Sequence, residues 1–300
     1  LRLFYLYARL KFMKLLEGKK IAEKILKEVE KNIKKEKLRP SLAVVLVGND
    51  KASEIYVKLK EKAAGKVEIR FKLFRFNKTE KENKIIEVVK KLSRNKKING
   101  IIVQLPLPKK FNTQKIINSI DPNRDVDGFS AYGGSAVGGH PQKNEEFSKN
   151  HAKFTPVFPH AIIKLIESSR VNLKGKRAII VANSKKFGEI MSAVLKNNII
   201  PSSYILCKDY KKFQKKVKTA DIVISACGRP GMIRGETVKK GAMIIDGGIT
   251  KKDDKVLGDA DFELVKKVAG YLSPVPGGVG PVTIACLLEN VYLASKKQSE

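Results

Sequence analysis

The chain has 300 residues, 42% hydrophobic and 30% charged, a balance that buries a sizeable core in one or two domains and excludes an intrinsically disordered segment. Lysines and arginines number 61 against 30 acids, a net charge of +31. The basic residues are spread through nearly every amphipathic segment without interleaved aromatics, which argues against a dedicated nucleic-acid-binding function.

Residues 1–12, LRLFYLYARLKF, precede Met13. Their apolar run is short, is broken by Arg9 and Lys11, and has no small-residue cleavage site after it, so they read as an extension upstream of a domain that begins at Met13. No stretch approaches the ~18 apolar residues of a membrane span. From Gly18, KKIAEKILKEVEKNIKKEKLRP places apolar residues at helical spacing and stops at a proline, predicting an amphipathic helix. SLAVVLVGND, a continuous apolar run closed by Gly-Asn-Asp, reads as a buried parallel strand. Helix SEIYVKLKEKAAGK, strand EIRFKLFRF, helix EKENKIIEVVKKLSRN and strand GIIVQLPLP follow, the alternation of βαβ units.

Residues 130–150 are glycine-rich and then polar, predicting a mobile loop or boundary. TPVFPHAIIKLIESS reads as a linking helix, and KRAIIVANS, SYILC, DIVISACG, AMIIDGG and YLSPVPGG as strands with helices between them. No internal repeat of 20–50 residues appears. The expectation is two α/β domains with a ligand cleft between them: 13–150 completed by the C-terminal helix 284–300, then 151–283. Cys207, Cys227 and Cys286 show no metal or redox spacing and are too few for a disulfide framework, which favours a reducing compartment, taken as the cytoplasm. His140, His151 and His160 fit no zinc pattern, and no metal is expected.

Four stretches carry chemistry. Tyr56 and Lys60 share a helix face at i and i+4, and a lysine in a partly dry site can act as an acid or base near neutral pH. Taken alone, such a pair on a lysine-rich helix is a solvated face. Gln104 falls at the carboxyl end of a strand, where open α/β sheets bind ligands, and Pro106 and Pro108 stop further pairing. Asp125 and Asp127 precede a glycine; a carboxylate there can anchor a planar amidine-like heterocycle or simply form an Asx turn. PVPGGVGPVT, residues 274–283, mixes residues of fixed φ with residues of free φ, as would a stiff wall for something flat.

YVKLK with Ser53, VQLPLP, DPNRDVDGF, SACGRPGMI, IIDGGI, GDADFE and PVPGGVGPVTIACLLEN together resemble the bifunctional methylenetetrahydrofolate dehydrogenase/methenyltetrahydrofolate cyclohydrolase family, in order and rough spacing, from about Met13 to the C-terminus. The resemblance implies a tetrahydrofolate-binding catalytic domain and a Rossmann-like NAD(P)-binding domain. It implies Lys60 as the catalytic lysine, Gln104 tuning it, Tyr56 stacking near the folate and Asp127 binding the pterin, with Ser53, Leu105, Pro106, Pro276, Gly277 and Gly278 lining the substrate. Cofactor contacts carried over are Ala182, Asn183, Ser184, Gly188, Asp209, Cys227, Gly228, Ile249, Gly280 and Thr283. Also implied are oxidation of the methylene bridge, hydrolysis to the 10-formyl product, a role in one-carbon metabolism and purine biosynthesis, and a homodimer.

The chain departs from the family in places. The phosphate loop, of the form Gly-Arg-Ser-x-x-Val-Gly-x-Pro in relatives, here runs from Ala182 to Ile190 and keeps only Ser184 and Gly188. Asn183 removes a cation that meets the 2′-phosphate of NADP, and Asp209 replaces a serine that helps bind it; together they weaken the default of NADP and admit NAD. The stretch Ala131-Tyr132-Gly133-Gly134-Ser135-Ala136 and the segment Thr155-Pro156-Val157-Phe158-Pro159 also differ. Two competing readings follow: a cyclohydrolase that has lost the dehydrogenase, and a basic nucleic-acid-binding protein on an enzyme scaffold.

Overall fold

A computed structural model describes residues 13–129, 154–253 and 255–300. The amino-terminal extension, the Ala131–Ala136 stretch, His140 and His151 lie outside the described residues. In chain order the elements are β1 (Lys14–Leu15), α1 (Gly18–Lys35), β2 (Ser41–Val47), α2 (Lys51–Lys66), β3 (Arg70–Phe76), α3 (Glu82–Arg94), β4 (Gly100–Val103), α4 (Thr113–Ile117) and α5 (Val157–Ser168). Then come β5 (Ala178–Ala182), α6 (Lys185–Asn197), β6 (Ser202–Leu206), α7 (Tyr210–Val217), β7 (Ile222–Ala226), β8 (Met243–Asp246), β9 (Thr250–Lys252), β10 (Lys255–Leu257), α8 (Phe262–Val265), β11 (Tyr271–Leu272) and α9 (Val279–Ser299). The chain divides into two compact units, residues 22–157 with 283–300 and residues 1–21 with 158–282.

The first of these holds a parallel sheet in the order β3-β2-β4. β2 is central and buried along its whole length, as the unbroken apolar run SLAVVLV requires. α2 is capped by Asp50, whose Oδ2 accepts from the Ser53 backbone N–H at 2.7 Å. Its buried residues are Ser53, Val57, Lys60 and Ala64, one stripe at helical spacing that includes a lysine. The 124–126 segment runs beside β4, with Ile101 bridged to Asp125.

The other unit is built on a six-stranded sheet, β1-β11-β8-β7-β5-β6, with every adjacent pair parallel. From β5 the chain goes first to β6 on one flank and then to β7 on the other, so the strand order reverses at β5. Open α/β sheets bind ligands at the carboxyl ends of the strands at such a reversal.

Three features differ from the sequence expectations. Lys14 and Leu15, expected to open the first domain, instead pair with Tyr271 and Leu272 at the edge of the six-stranded sheet; two residues carry no legible strand period. A β9–β10 hairpin was not anticipated. Cys207 and Cys227, expected to be unpaired, form a disulfide with Cα atoms 5.9 Å apart. Each is the first residue beyond its strand, β6 and β7, and those strands flank β5. The pairing therefore comes from topology rather than local spacing, and it removes the ground for expecting a reducing compartment. Among the described residues no helix is long and apolar enough to cross a membrane.

Candidate functional site

Lys60 points inward from the buried stripe of α2 and is 9% exposed. Its Nζ donates to Gln104 Oε1 at 2.8 Å. Gln104 stands just past β4, and its backbone N–H continues the ladder to Val45 O. Its Nε2 donates to Leu105 O at 2.8 Å. With the amide nitrogen engaged there, the side chain presents only its oxygen to the lysine, which fixes its orientation.

Burial lowers the Lys60 pKa below the usual lysine value, and the Asp127 carboxylate opposes that shift. Burial raises Asp127 to about 6, with Lys60 pulling it down and Asp125 pushing it up. The two groups thus sense each other's charge, and each is held closer to neutral pH than its free counterpart. Tyr56, one turn before Lys60, is half-buried, and burial raises its phenol. Ser53 donates from Oγ to Leu105 O at 3.4 Å, tying α2 to the Leu105-Pro106 peptide, which is cis. Pro106 itself is exposed.

Asp127 is held by its backbone. The carboxylate of Asp125, 2% exposed, accepts from the Gly128 N–H at 3.2 Å. Gly128 sits at φ 76°, and a Cβ there would stand 2.9 Å from Phe154 O and from the Pro156 nitrogen. Only glycine serves both demands. Asp127 O accepts from Val157 N–H at 3.2 Å. Asn290 on α9, which sequence reasoning missed, donates from Nδ2 to Val126 O at 2.9 Å and Thr155 O at 3.3 Å. Its signal was the polar pair Glu289-Asn290 inside an otherwise apolar stretch of helix. Lys60, Gln104, Asp127 and Ser53 are thereby assembled in one unit. A dry lysine beside a fixed amide oxygen, with a carboxylate in electrostatic range, can hold and release a proton during attack by water.

In the other unit, Asn183 and Ser184 are exposed at the carboxyl end of β5. Ser184 caps α6, its Oγ accepting from Phe187 N–H at 3.2 Å. A Cβ at Gly188 would meet the Tyr204 ring at 2.5 Å, so glycine lets α6 lie against β6. Ala182, the last residue of β5, is fully buried. Asp209 is half-buried at the start of α7 and makes no side-chain cap bond. Cys227 and Gly228, the latter at φ 64°, form the turn after β7.

Two buried aspartates missed by the sequence reading set that turn. Asp259, fully buried, accepts from Cys227 N–H through Oδ2 and from Arg229 N–H through Oδ1, both at 2.7 Å. Asp246 accepts from Asp259 N–H at 3.0 Å, Ala260 N–H at 2.8 Å and Gly248 N–H at 2.9 Å. Burial nevertheless raises Asp246 to about 6. Ile249 is exposed nearby in sequence. Gly277, at φ 107°, lies in the loop before α9, and its carbonyl accepts from Lys19 N–H at 3.2 Å. A Cβ on Gly278 would come within 2.5 Å of Pro274 O. Pro276 is exposed; Gly280 and Thr283 lie in the first turns of α9.

Comparisons with known proteins cover both units. The family model described as tetrahydrofolate dehydrogenase/cyclohydrolase, catalytic domain, matches residues 16–127, and the model for the NAD(P)-binding domain matches residues 156–299. The chain is 39% identical over 292 residues to the bifunctional protein FolD of a Nitratiruptor species, covering 95% of this chain and 99% of that one. Among solved structures, it is similar to the bifunctional methylenetetrahydrofolate dehydrogenase/cyclohydrolase of Campylobacter jejuni, at 34% identity and TM-score 0.83, with 95% and 99% covered. It is also similar to the Trypanosoma brucei enzyme complexed with NADP cofactor and an inhibitor, at 28% identity and TM-score 0.85, with 96% and 99% covered.

Proposed function

Because the chain belongs to the tetrahydrofolate dehydrogenase/cyclohydrolase family, we infer that it oxidises 5,10-methylenetetrahydrofolate to the 5,10-methenyl compound with NAD(P), then hydrolyses that to 10-formyltetrahydrofolate. The observation that carries the hydrolytic half is the buried Lys60 bonded to an oriented Gln104. A lysine whose charge is disfavoured by burial can take a proton from the attacking water and return it as the ring opens. Gln104 holds the ammonium in place. Asp127, braced by Asp125, Gly128 and Asn290, binds the polar edge of the pterin, and Tyr56 offers its ring as a stacking face. Ser53, Leu105 and Pro106 shape the same substrate site, and the family resemblance assigns Pro276, Gly277 and Gly278 of the loop before α9 to the substrate as well.

The residues of the six-stranded sheet fit a dinucleotide. Exposed Asn183 and Ser184 stand at the strand-order reversal at the amino end of a 13-residue helix, where N–H groups favour a pyrophosphate. Ala182, Gly188, Asp209, Cys227, Gly228, Ile249, Gly280 and Thr283 complete the cofactor site. When bound, the nucleotide supplies the hydride acceptor. Asn183 and Asp209 leave the site weakly selective, so NAD is used beside NADP. The homodimer and the supply of formyl units to purine biosynthesis rest on the family resemblance. The test is to measure both activities on one preparation with each nucleotide: methenyl absorbance appears only with NAD(P) and then decays by hydrolysis. A preparation that forms no methenyl product with either nucleotide overturns the dehydrogenase assignment.

A further inference from the structure

Arg229 has no role in the reading above, yet its placement is determined on three sides. Asp259 fixes its backbone N–H. The preceding Gly228, at φ 64°, sets the turn after β7. Its guanidinium reaches across, Nη1 donating to Cys207 O at 3.1 Å. The same two segments are joined again by the Cys207–Cys227 disulfide. The cation is therefore held at the carboxyl end of β6, two residues before Asp209. One of its five N–H donors is used by that carbonyl, the side chain is exposed, and among the described residues it makes no ion pair.

The end of the second strand in a doubly wound sheet is where the ribose 2′ group of the adenosine half is read: a carboxylate takes a 2′-hydroxyl and an arginine a 2′-phosphate. Here Asn183 supplies no cation, and Asp209 repels an anion. We propose that Arg229 is the specificity-determining residue for the nucleotide, binding the 2′-phosphate of NADP from the far side of β5, while Asp209 serves the 2′-hydroxyl of NAD. The proposal rests on the reading of this unit as the nucleotide-binding one. A planar fork suits a phosphate better than a lysine's point charge, so lysine substitutes only in part.

The test is calorimetric binding of 2′,5′-ADP and 5′-AMP, which differ only in the 2′-phosphate, to the full-length protein. Arg229→Ala is expected to weaken 2′,5′-ADP by about tenfold to a hundredfold, the loss typical of hydrogen bonds to a charged group. Binding of 5′-AMP should change by less than about twofold, and Arg229→Lys should fall between. Cyclohydrolase activity, which needs no nucleotide, should stay at the wild-type level and reports that the variant is folded. Equal weakening of both ligands, or of neither, overturns the proposal, as does a wild type that prefers 5′-AMP. A wild type that binds 2′,5′-ADP with the predicted Arg229 dependence but turns over no folate overturns the enzymatic reading and leaves this assignment standing.

Discussion

Replacing Lys60 with methionine separates chemistry from folding. Methionine keeps the length of the side chain on the buried stripe of α2 while removing the ammonium. Two structural terms oppose each other. The Nζ–Oε1 bond at 2.8 Å is lost, leaving Gln104 Oε1 buried without its donor, which costs about 1–3 kcal/mol. Against that, a cation that burial disfavours is no longer held in the interior, which offsets part of this loss. The net change in stability should lie within about 2 kcal/mol, read by urea denaturation. Loss of a positioned acid-base group costs about 10²–10⁴ in rate, or about 3–5 kcal/mol of barrier. Decay of the methenyl absorbance should therefore slow by at least about a hundredfold in a variant that still folds. Hydrolysis within a few fold of wild type, in a protein with a normal melting transition, would refute the role given to Lys60.

Two other perturbations follow from the geometry. His160 on α5 is held at about 4 by burial, with Lys164 adding to the shift, so its neutral form favours the fold. Its contribution is complete above pH 6.5 and is lost as pH falls towards 4, up to about 3 kcal/mol. His160→Gln should show a smaller drop in urea stability between pH 7 and pH 4.5 than the wild type, and an identical drop would count against the buried neutral imidazole. The Cys207–Cys227 bond closes a separation of 20 residues, for which chain-entropy reasoning gives about 3 kcal/mol. A reductant should lower the denaturation midpoint of the wild type and leave Cys207→Ser unmoved; no response in the wild type would mean the bond does not stabilise the fold.

Much of the fold was legible because its signals are local. The unbroken apolar runs of β2 and β5, the amphipathic period of α1 and α3, and glycines beside strand ends each carry their own period or punctuation. What escaped was set by neighbours distant in sequence. β1 is a strand only because Tyr271 and Leu272 lie beside it. The disulfide exists because β6 and β7 flank β5, and Asp259 reads as a turn residue until its two N–H partners, 30 and 32 residues earlier, are seen. Lys60 lies between these cases: the face it shares with Tyr56 was visible, but its burial and its partner 44 residues away were not.

The phosphate loop shows why motif survival and ligand choice must be argued separately. Ser184 is needed to cap α6, and Gly188 is needed because the Tyr204 ring leaves no room for a Cβ. Both would persist in a sheet of this shape whether or not a nucleotide bound there. Asn183 is different. Its side chain is exposed, and only its backbone N–H, donated to Ala226 O at 3.1 Å, serves the fold. The fold therefore places no demand on that side chain, and exchange of the family's arginine there can alter nucleotide choice at little structural cost. A cation that reaches the same strand ends from the β7 turn, as Arg229 does, keeps phosphate recognition available without restoring the loop.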